Sequence, residues 1–483
     1  MRVLHVASEL APFAESGGLG DVLAGLPAAQ VAGYGLEAAV LVPLYRGVAE
    51  RIAAAGITLA PGAEVTLDVG VHRLASAIRV AEVAGVRYGF VDCPPLYDRD
   101  GLYGPRGGGE FSDNHLRFAA LGKAALAAGD VLLGGPPTIL HVHDWQGSAA
   151  AIYARMAHSP SLIVTTIHNL AYRGIFSKAV MTQLGIPWSM FTADLAEFYD
   201  QLSFLKAGLA FADAVTTVSP SYAREILTAE RGEGLDGFLR WKVKRLVGIV
   251  NGVDTAAWNP ATDAALAATY SAAALAGKAR CRTALADELG LPLAADEALI
   301  GVVARMTDQK GLDIVADTVP ELARLGARLV VLGSGEPALE RRFAWLADVF
   351  RQHVAVRIGF DRDLARRIYA GSDLFAMPSR FEPCGLGQLY AMRYGAIPVV
   401  HAVGGLRDTV IDPGDPELST GRGTGIRFTP DTGLAFAHAL SRALRLFRDP
   451  VALANVRRAA MARDSSWVAS AQDYVQLYRS LGS

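Results

Sequence analysis

Twice along the chain, short apolar runs of strand length alternate with helical stretches, and the ends of those runs are rich in glycine or unusually polar. Residues 3–7 read as a buried strand of a parallel sheet, followed by further strands at 39–44, 86–92, 138–142, 162–167, 214–218 and 247–250. A second series follows at 298–304, 328–332, 354–358, 374–377 and 397–400. Strands separated by helices define an α/β class with doubly wound sheets, in which ligands sit beyond the C-terminal ends of the strands. The turn signal Asn251-Gly252-Val253-Asp254 separates the two series. The expected domains are therefore 1–250, 251–460 and a closing C-terminal helix within 461–483, where Trp467, Tyr474 and Tyr478 recur at helical spacing. Two large domains joined near residue 251 imply a cleft and a hinge.

Composition excludes several classes of partner. With 46 basic and 48 acidic residues the net charge is −2, so there is no polyelectrolyte signature and nucleic acid is not an expected partner. Gln30, Glu37, Lys123 and Asp130 interrupt the longest apolar stretches, so no membrane span of about 18 residues is expected. Residues 1–6 pass straight into a strand without an apolar leader, and Cys93, Cys281 and Cys384 are odd in number and widely spaced. Both features predict a reducing, cytoplasmic setting.

The densest functional signal is 379–390, Ser-Arg-Phe-Glu-Pro-Cys-Gly-Leu-Gly-Gln-Leu-Tyr, which reads as a turn between the strand 374–377 and a helix. The first N–H groups of such a helix lack partners and favour an anion, while Pro383 and Gly385 let a ligand approach the main chain. Glu382 would repel a phosphate and more plausibly accepts hydrogen bonds from hydroxyl groups, as a sugar provides; a solvated glutamate in an ordinary turn is the plainer alternative. Arg305 and Lys310, five residues apart at another strand end, are suited to a diphosphate whose charge grows as it departs, unless they are a solvated surface pair. Gly17 and Gly18 lie in a glycine turn between the first strand and a helix over 22–32, a place for phosphate or merely for packing.

Asp144, after the strand end His141-Val142-His143, and His168, after the strand 162–167, are placed for substrate. His141 and His143 share a strand face, which raises a metal pair, yet no further ligands complete it and no metal is expected; His141 reads as a buried histidine satisfied by backbone. Tyr103 lies in a glycine-rich loop over 101–113, and Asn114 follows it. Gly333-Ser334-Gly335-Glu336-Pro337-Ala338 fits a dinucleotide pattern and raises a dehydrogenase, against which Glu336 and Pro337 occupy the place where pyrophosphate would sit. Phe360 offers an aromatic face for a base.

Taken in order with Phe204-Leu205-Lys206-Ala207-Gly208, Val218-Ser219-Pro220 and the tail 464–467, these motifs span nearly the whole chain, which resembles the bacterial glycogen synthases and plant starch synthases. These are retaining glycosyltransferases of the GT-B fold. The resemblance implies two Rossmann-like domains facing across a deep cleft, with a C-terminal helix crossing back to the first. It implies transfer of glucose from ADP-glucose, or another nucleotide-glucose, to the non-reducing end of an α-1,4-glucan, with no cofactor. By position, Arg305 and Lys310 match the diphosphate-binding cations, Glu382 the contact to the donor sugar, and Asp144 and His168 the glucose and acceptor side. His168 is expected to offer its backbone carbonyl beside the reacting carbon and its ring to a sugar hydroxyl. Glu15, Gly17, Gly18, Asn251, Gly335, Phe360, Ser379, Cys384, Gly385, Leu386 and Gly387 match the donor side. Asp21, Tyr103, Asn114 and Trp145 match the acceptor or sugar side.

Four positions depart from the family pattern. Glu15 replaces a lysine, Gly387 and Val403 each replace a threonine, and Asp200 replaces a glycine. At ~4 Å and an effective dielectric near 20, a charge reversal beside a diphosphate is worth roughly several kcal/mol before screening.

Overall fold

The computed structural model describes residues 1–105 and 108–482, so residues 106 and 107 of the expected 101–113 loop lie outside the described residues. The chain forms two compact units, Met1–Gly252 with Ser466–Ser483, and Val253–Ser465. Asn251 thus belongs to the first unit.

The first unit is built on a nine-stranded sheet whose core is parallel: Leu246–Gly248, Ala214–Thr217, Leu162–Ile167, Ile139–His143, Arg2–Val6, Glu37–Pro43 and Val86–Asp92, in that spatial order. Beyond Val86–Asp92 the sheet continues antiparallel through His72–Val83 and Ala60–Val69. That hairpin was not expected from sequence, although Val65, Leu67 and Val69 alternate with polar residues as one half-buried face requires. A further small sheet joins Ile175–Ser177, Gln201–Ser203 and Glu197–Phe198. The first helix, Leu19–Tyr34, begins earlier than the 22–32 reading and ends at Gly35, whose φ of 64° supplies the left-handed cap.

The second unit has six parallel strands ordered Val354–Ile358, Ala327–Gly333, Ala298–Val303, Leu374–Met377, Ile397–His401 and Ile426–Phe428. The last, three residues long, is too short to give a periodic signal and was not anticipated. Alternate residues enter different cores: Ile300, Val302, Leu329 and Val331 pack with Phe343 and Leu440, whereas Leu299, Val330, Leu332 and Phe375 pack with Ile368 and Leu389. Helices therefore cover both faces, which is why these strands are apolar at successive positions.

Among the parallel strands, the order reverses once in each sheet. In the first unit Arg2–Val6 lies between Glu37–Pro43 and Ile139–His143; in the second, Ala298–Val303 lies between Ala327–Gly333 and Leu374–Met377. Connections leave these neighbours toward opposite faces and open a crevice at their C-terminal ends.

The helix Trp467–Leu481 belongs to the first unit and lies against Leu19–Tyr34. Ser466 caps it through the Ala469 N–H, and Ser470 Oγ donates to the Val250 carbonyl at 2.7 Å. A Cβ on Gly25 would fall 2.0 Å from Trp467 Nε1, so the first helix must be bare at this position. Gly25→Ala is accordingly expected to cost ~1–3 kcal/mol of stability through overpacking. Urea unfolding checks this, and an unchanged midpoint would mean that the indole is not held there.

Candidate functional site

Each switch point carries a cluster of polar side chains. In the first unit the chain leaves Arg2–Val6 as Ala7-Ser8-Glu9, and Glu9 organises the loop that leads into the first helix. Its Oε2 accepts the N–H groups of Ser16 at 2.7 Å and Gly17 at 3.2 Å, while Oε1 accepts the hydroxyls of Ser16 at 2.7 Å and Tyr103 at 2.6 Å. A buried carboxylate thus pins a glycine turn whose residues 15–18 remain exposed. Sequence reasoning passed over Glu9; an acidic residue just past a strand end, followed by the apolar Leu10-Ala11, was the available signal. Burial and the adjacent Glu9 push the Tyr103 phenol well above its usual pKa, so it stays a donor. Asn114, expected on the sugar side, is instead fully buried: its Nδ2 donates to the Tyr103 carbonyl at 2.9 Å and its Oδ1 accepts from Arg117 at 2.7 Å. It supports Tyr103 from behind. Trp145 is likewise a core residue, packed edge-on against Phe118 and Phe176 and backed by Gly174, whose Cβ would overlap the indole. Asp21, in the first turn of the first helix, is partly buried.

Asp144 begins the helix Asp144–Met156 with φ at 51°, an uncommon conformation for a residue with a side chain. The turn aims its Oδ1 at the backbone of the neighbouring strand end, where it accepts the His168 N–H at 2.7 Å and that of Asn169 at 3.4 Å. Asp144 thereby holds the main chain of His168. Burial raises its carboxyl to about 7, partly countered by those two N–H groups. The His168 ring is depressed to about 3 by burial and is neutral at ordinary pH. Its Nε2 lies 3.0 Å from His143 Nδ1.

His5, His141 and His143 bring ligand-capable atoms within 4.8 Å of one another. Their ring nitrogens are nonetheless taken up by protein groups, so the cluster is a hydrogen-bonded set of imidazoles. His141, expected to be satisfied by backbone, is held by the hydroxyls of Tyr478 at 2.7 Å and Thr166 at 2.6 Å.

In the second unit the puzzle of Glu382 resolves into an ion pair. Lys310 Nζ donates to Glu382 Oε2 at 2.6 Å, and Ser379 Oγ donates to the same oxygen at 3.1 Å. Glu382 is 6% exposed, so its charge needs that partner. The turn is fixed from below by glycines: a Cβ on Gly404 would meet the Glu382 carbonyl at 2.1 Å, and one on Gly405 the Cys384 carbonyl at 2.1 Å. Gly385 sits at φ 73°. His401 Nδ1–H donates to the Ser379 carbonyl at 2.8 Å. Cys384 is buried and Leu386 precedes the helix Gly387–Arg393. Gly387 has room for a Cβ at ordinary contact distance, so its lack of a side chain is not imposed by packing.

Among the cations, Arg380 is committed to Asp313 by bonds of 2.8 and 2.6 Å, whereas Arg305 is exposed and makes no side-chain hydrogen bond or ion pair among the described residues. The Gly335 N–H, expected to face the donor, is donated to Glu340 Oε1 at 2.7 Å, and Glu336 accepts from the Asp308 N–H at 3.1 Å. Two carboxylates at that helix start make it a poor seat for pyrophosphate, which removes the structural basis for a dinucleotide site. Phe360 is 86% exposed. Asn251 is buried, with Oδ1 lacking a hydrogen-bond partner. Asp200 adopts φ 62° and pairs with Lys178 at 2.6 Å, so a glycine-type conformation is retained with an aspartate in it.

Residues 2–241 match the family model of the starch synthase catalytic domain, and residues 297–445 that of glycosyl transferases group 1. Among curated proteins, the glycogen synthase of Anaeromyxobacter dehalogenans is 48% identical over the full length of both chains. That of Roseobacter denitrificans is 43% identical over 99% of each. Among solved structures, the catalytic domain of starch synthase IV from Arabidopsis thaliana, bound to ADP and acarbose, has a TM-score of 0.89 at 33% identity, covering 100% of this chain and 99% of that one. Sucrose-phosphate synthase from Thermosynechococcus elongatus, 19% identical with a TM-score of 0.59, shares the fold. The two switch-point sites therefore stand in a glycosyltransferase of the GT-B fold. Within that class, the chain belongs to the family of bacterial glycogen synthases and plant starch synthases.

The elevated Asp144 carboxyl has a consequence for stability. Its folded pKa of about 7 lies above the unfolded value of about 3.9, so between these pH values the folded chain holds a proton that the unfolded chain has lost. Its contribution is present below pH about 4 and fades as pH rises to about 7. Asp144→Asn should remove this segment of the pH dependence, gaining on the parent chain by about 2–3 kcal/mol between pH 5 and 7.5. Parallel urea titrations test it; curves with the same pH slope would place the carboxyl at an ordinary pKa.

Proposed function

We propose that this chain transfers glucose from ADP-glucose to the non-reducing end of an α-1,4-glucan with retention of configuration. The observation that carries the reading is the Lys310–Glu382 pair at the switch point of the second unit, with Arg305 exposed on the adjacent strand end. A diphosphate gains negative charge as it leaves, and preorganised cations stabilise that charge without a metal. Arg305 and Lys310 take this role, together with backbone N–H groups of Leu386 and Gly387. Glu382, paired on Oε2, presents a carboxylate to the donor sugar's hydroxyls.

In the reaction, the bond from the sugar's reacting carbon to the phosphate oxygen breaks, the glucan hydroxyl oxygen bonds to that carbon, and the hydroxyl proton leaves with the phosphate. His168, its main chain held by Asp144, lines the sugar side with Tyr103 and Asp21. The full-length glycogen synthase relatives, and the ADP and acarbose of the plant structure, support this choice of donor and acceptor. No helix among the described residues is long and apolar enough to cross a membrane, and all three cysteines are buried and free; we place the reaction in the cytoplasm.

The pair also predicts how a variant behaves. Lys310→Ala should lower turnover by roughly 10²–10³, as loss of one preorganised charge donor does. It should also cost ~3–5 kcal/mol of stability, because Glu382 is left buried without its cation. Adding Glu382→Gln should restore stability and leave turnover low, and full turnover in Lys310→Ala would remove the lysine from the site. Glucose incorporation into glycogen, measured with ADP-glucose and with UDP-glucose, tests the donor. Incorporation from ADP-glucose is expected to dominate; preference for UDP-glucose would assign a different donor, and glucan binding without incorporation would overturn the enzymatic reading.

A further inference from the structure

A single file of buried polar groups runs from His168 to the C-terminal helix. His168 Nε2 is 3.0 Å from His143 Nδ1, His143 Nε2 is 3.1 Å from His5 Nδ1, and His5 Nε2 is 2.9 Å from Gln30 Oε1. Gln30 Nε2 donates to the Tyr478 hydroxyl at 3.2 Å. That hydroxyl is 2.7 Å from His141 Nδ1, and His141 Nε2 is 2.6 Å from Thr166 Oγ1. Thr166 in turn meets Thr216 Oγ1 at 2.6 Å. His5, Gln30, His141, His143, Thr166, Thr216 and Tyr478 are each 0% exposed.

Burial holds the four imidazoles neutral, their pKa values lowered to about 4 for His5, to about 3 for His168, and well below the usual value for His141 and His143. A neutral imidazole has one N–H and one bare nitrogen, so fixing either end of such a file fixes every ring in it. Imidazoles and hydroxyls can run in either direction. Gln30 cannot, because its oxygen only accepts and its nitrogen only donates.

With Oε1 facing His5, the proton of His5 must sit on Nε2, leaving Nδ1 bare to accept from His143 Nε2–H. His143 Nδ1 is then bare and accepts from His168 Nε2–H. On the other side, Tyr478 accepts from Gln30 and donates its own proton to His141 Nδ1, so His141 Nε2–H points to Thr166.

We propose that Gln30 is a positioning residue for the transfer reaction: through His5 and His143 it sets His168 in the Nε2–H tautomer, so that a bare Nδ1 is left to accept a hydrogen bond from a sugar hydroxyl. Tyr478, on the C-terminal helix, accepts from the other end of the same amide. The consequence for turnover rests on the reading that His168 lines the sugar site; the tautomer itself does not.

Histidine ring nitrogens observed by NMR in the full chain labelled with ¹⁵N-histidine report the tautomer without substrate. The parent chain is expected to show His168 protonated at Nε2 alone. Gln30→Met removes both polar ends at similar volume and should mix the His168 tautomers, with kcat falling about 10–100-fold and the donor KM nearly unchanged. Gln30→Glu still accepts from His5 Nε2–H whether or not it is ionised, and should retain both the tautomer and most of kcat. Should Gln30→Met not fold, the His168 tautomer of the parent chain decides by itself. A His168 proton on Nδ1 in the parent chain, or an unmixed tautomer with full kcat in Gln30→Met, overturns the proposal. If His168→Ala keeps full kcat, the site reading fails even where the tautomers behave as expected.

Discussion

The constraint on which everything else depends is that a parallel strand cannot be followed directly by its neighbour; the chain must cross over a face of the sheet and return. When successive crossovers change sides, two adjacent strands part at their C-terminal ends, and backbone groups there are left for something other than the sheet. Each unit has one such place, beside Arg2–Val6 and beside Ala298–Val303. Glu9, Asp144 and His168 gather at the ends of the first set of strands, and Arg305, Lys310 and Glu382 at the ends of the second. The polar clusters sit where topology leaves a crevice, and sequence differences between the two units decide which side chains line each one.

Both sites make a carboxylate a fixed acceptor. Glu9 and Asp144 are each turned toward backbone N–H groups, which fix a glycine turn and the main chain of His168 respectively. Glu382 takes a cation and a hydroxyl on one oxygen. An unpaired anion at such depth would be costly, and these contacts offset part of that cost. Arg380 lies in the same motif as Glu382 and is spent on Asp313, which holds two turns together and leaves Arg305 uncommitted.

Much of this was legible from residue order. Successive apolar positions in the strands announced sheets covered on both faces, and the motifs around Asp144, His168, Lys310 and Glu382 marked four of the strand ends. What escaped depended on contacts distant in the chain. Nothing in 379–390 shows that Lys310 neutralises Glu382, because the two are 72 residues apart. Trp145 and Asn114 looked functional by position, yet tertiary packing turns both inward, the first onto Phe118 and the second onto Tyr103 and Arg117. Glu9 carries no motif of its own, and its role exists only once residues 16, 17 and 103 fold over it. The strand Ile426–Phe428 is too brief to show a period, and its place is set by pairing with Ile397–His401.

The first unit is discontinuous in the chain, because residues 253–465 separate its main body from the helix Trp467–Leu481 that packs against its first helix. During synthesis the ribosome delivers residues 1–252 long before that helix. The groove formed by Gly25 and the buried hydroxyl position filled by Tyr478 must therefore stay open while an entire second unit is made. The turn of helix that carries Tyr478 completes an interior that the strand Arg2–Val6 begins, so this part of the first unit is finished only after the whole second unit has been made.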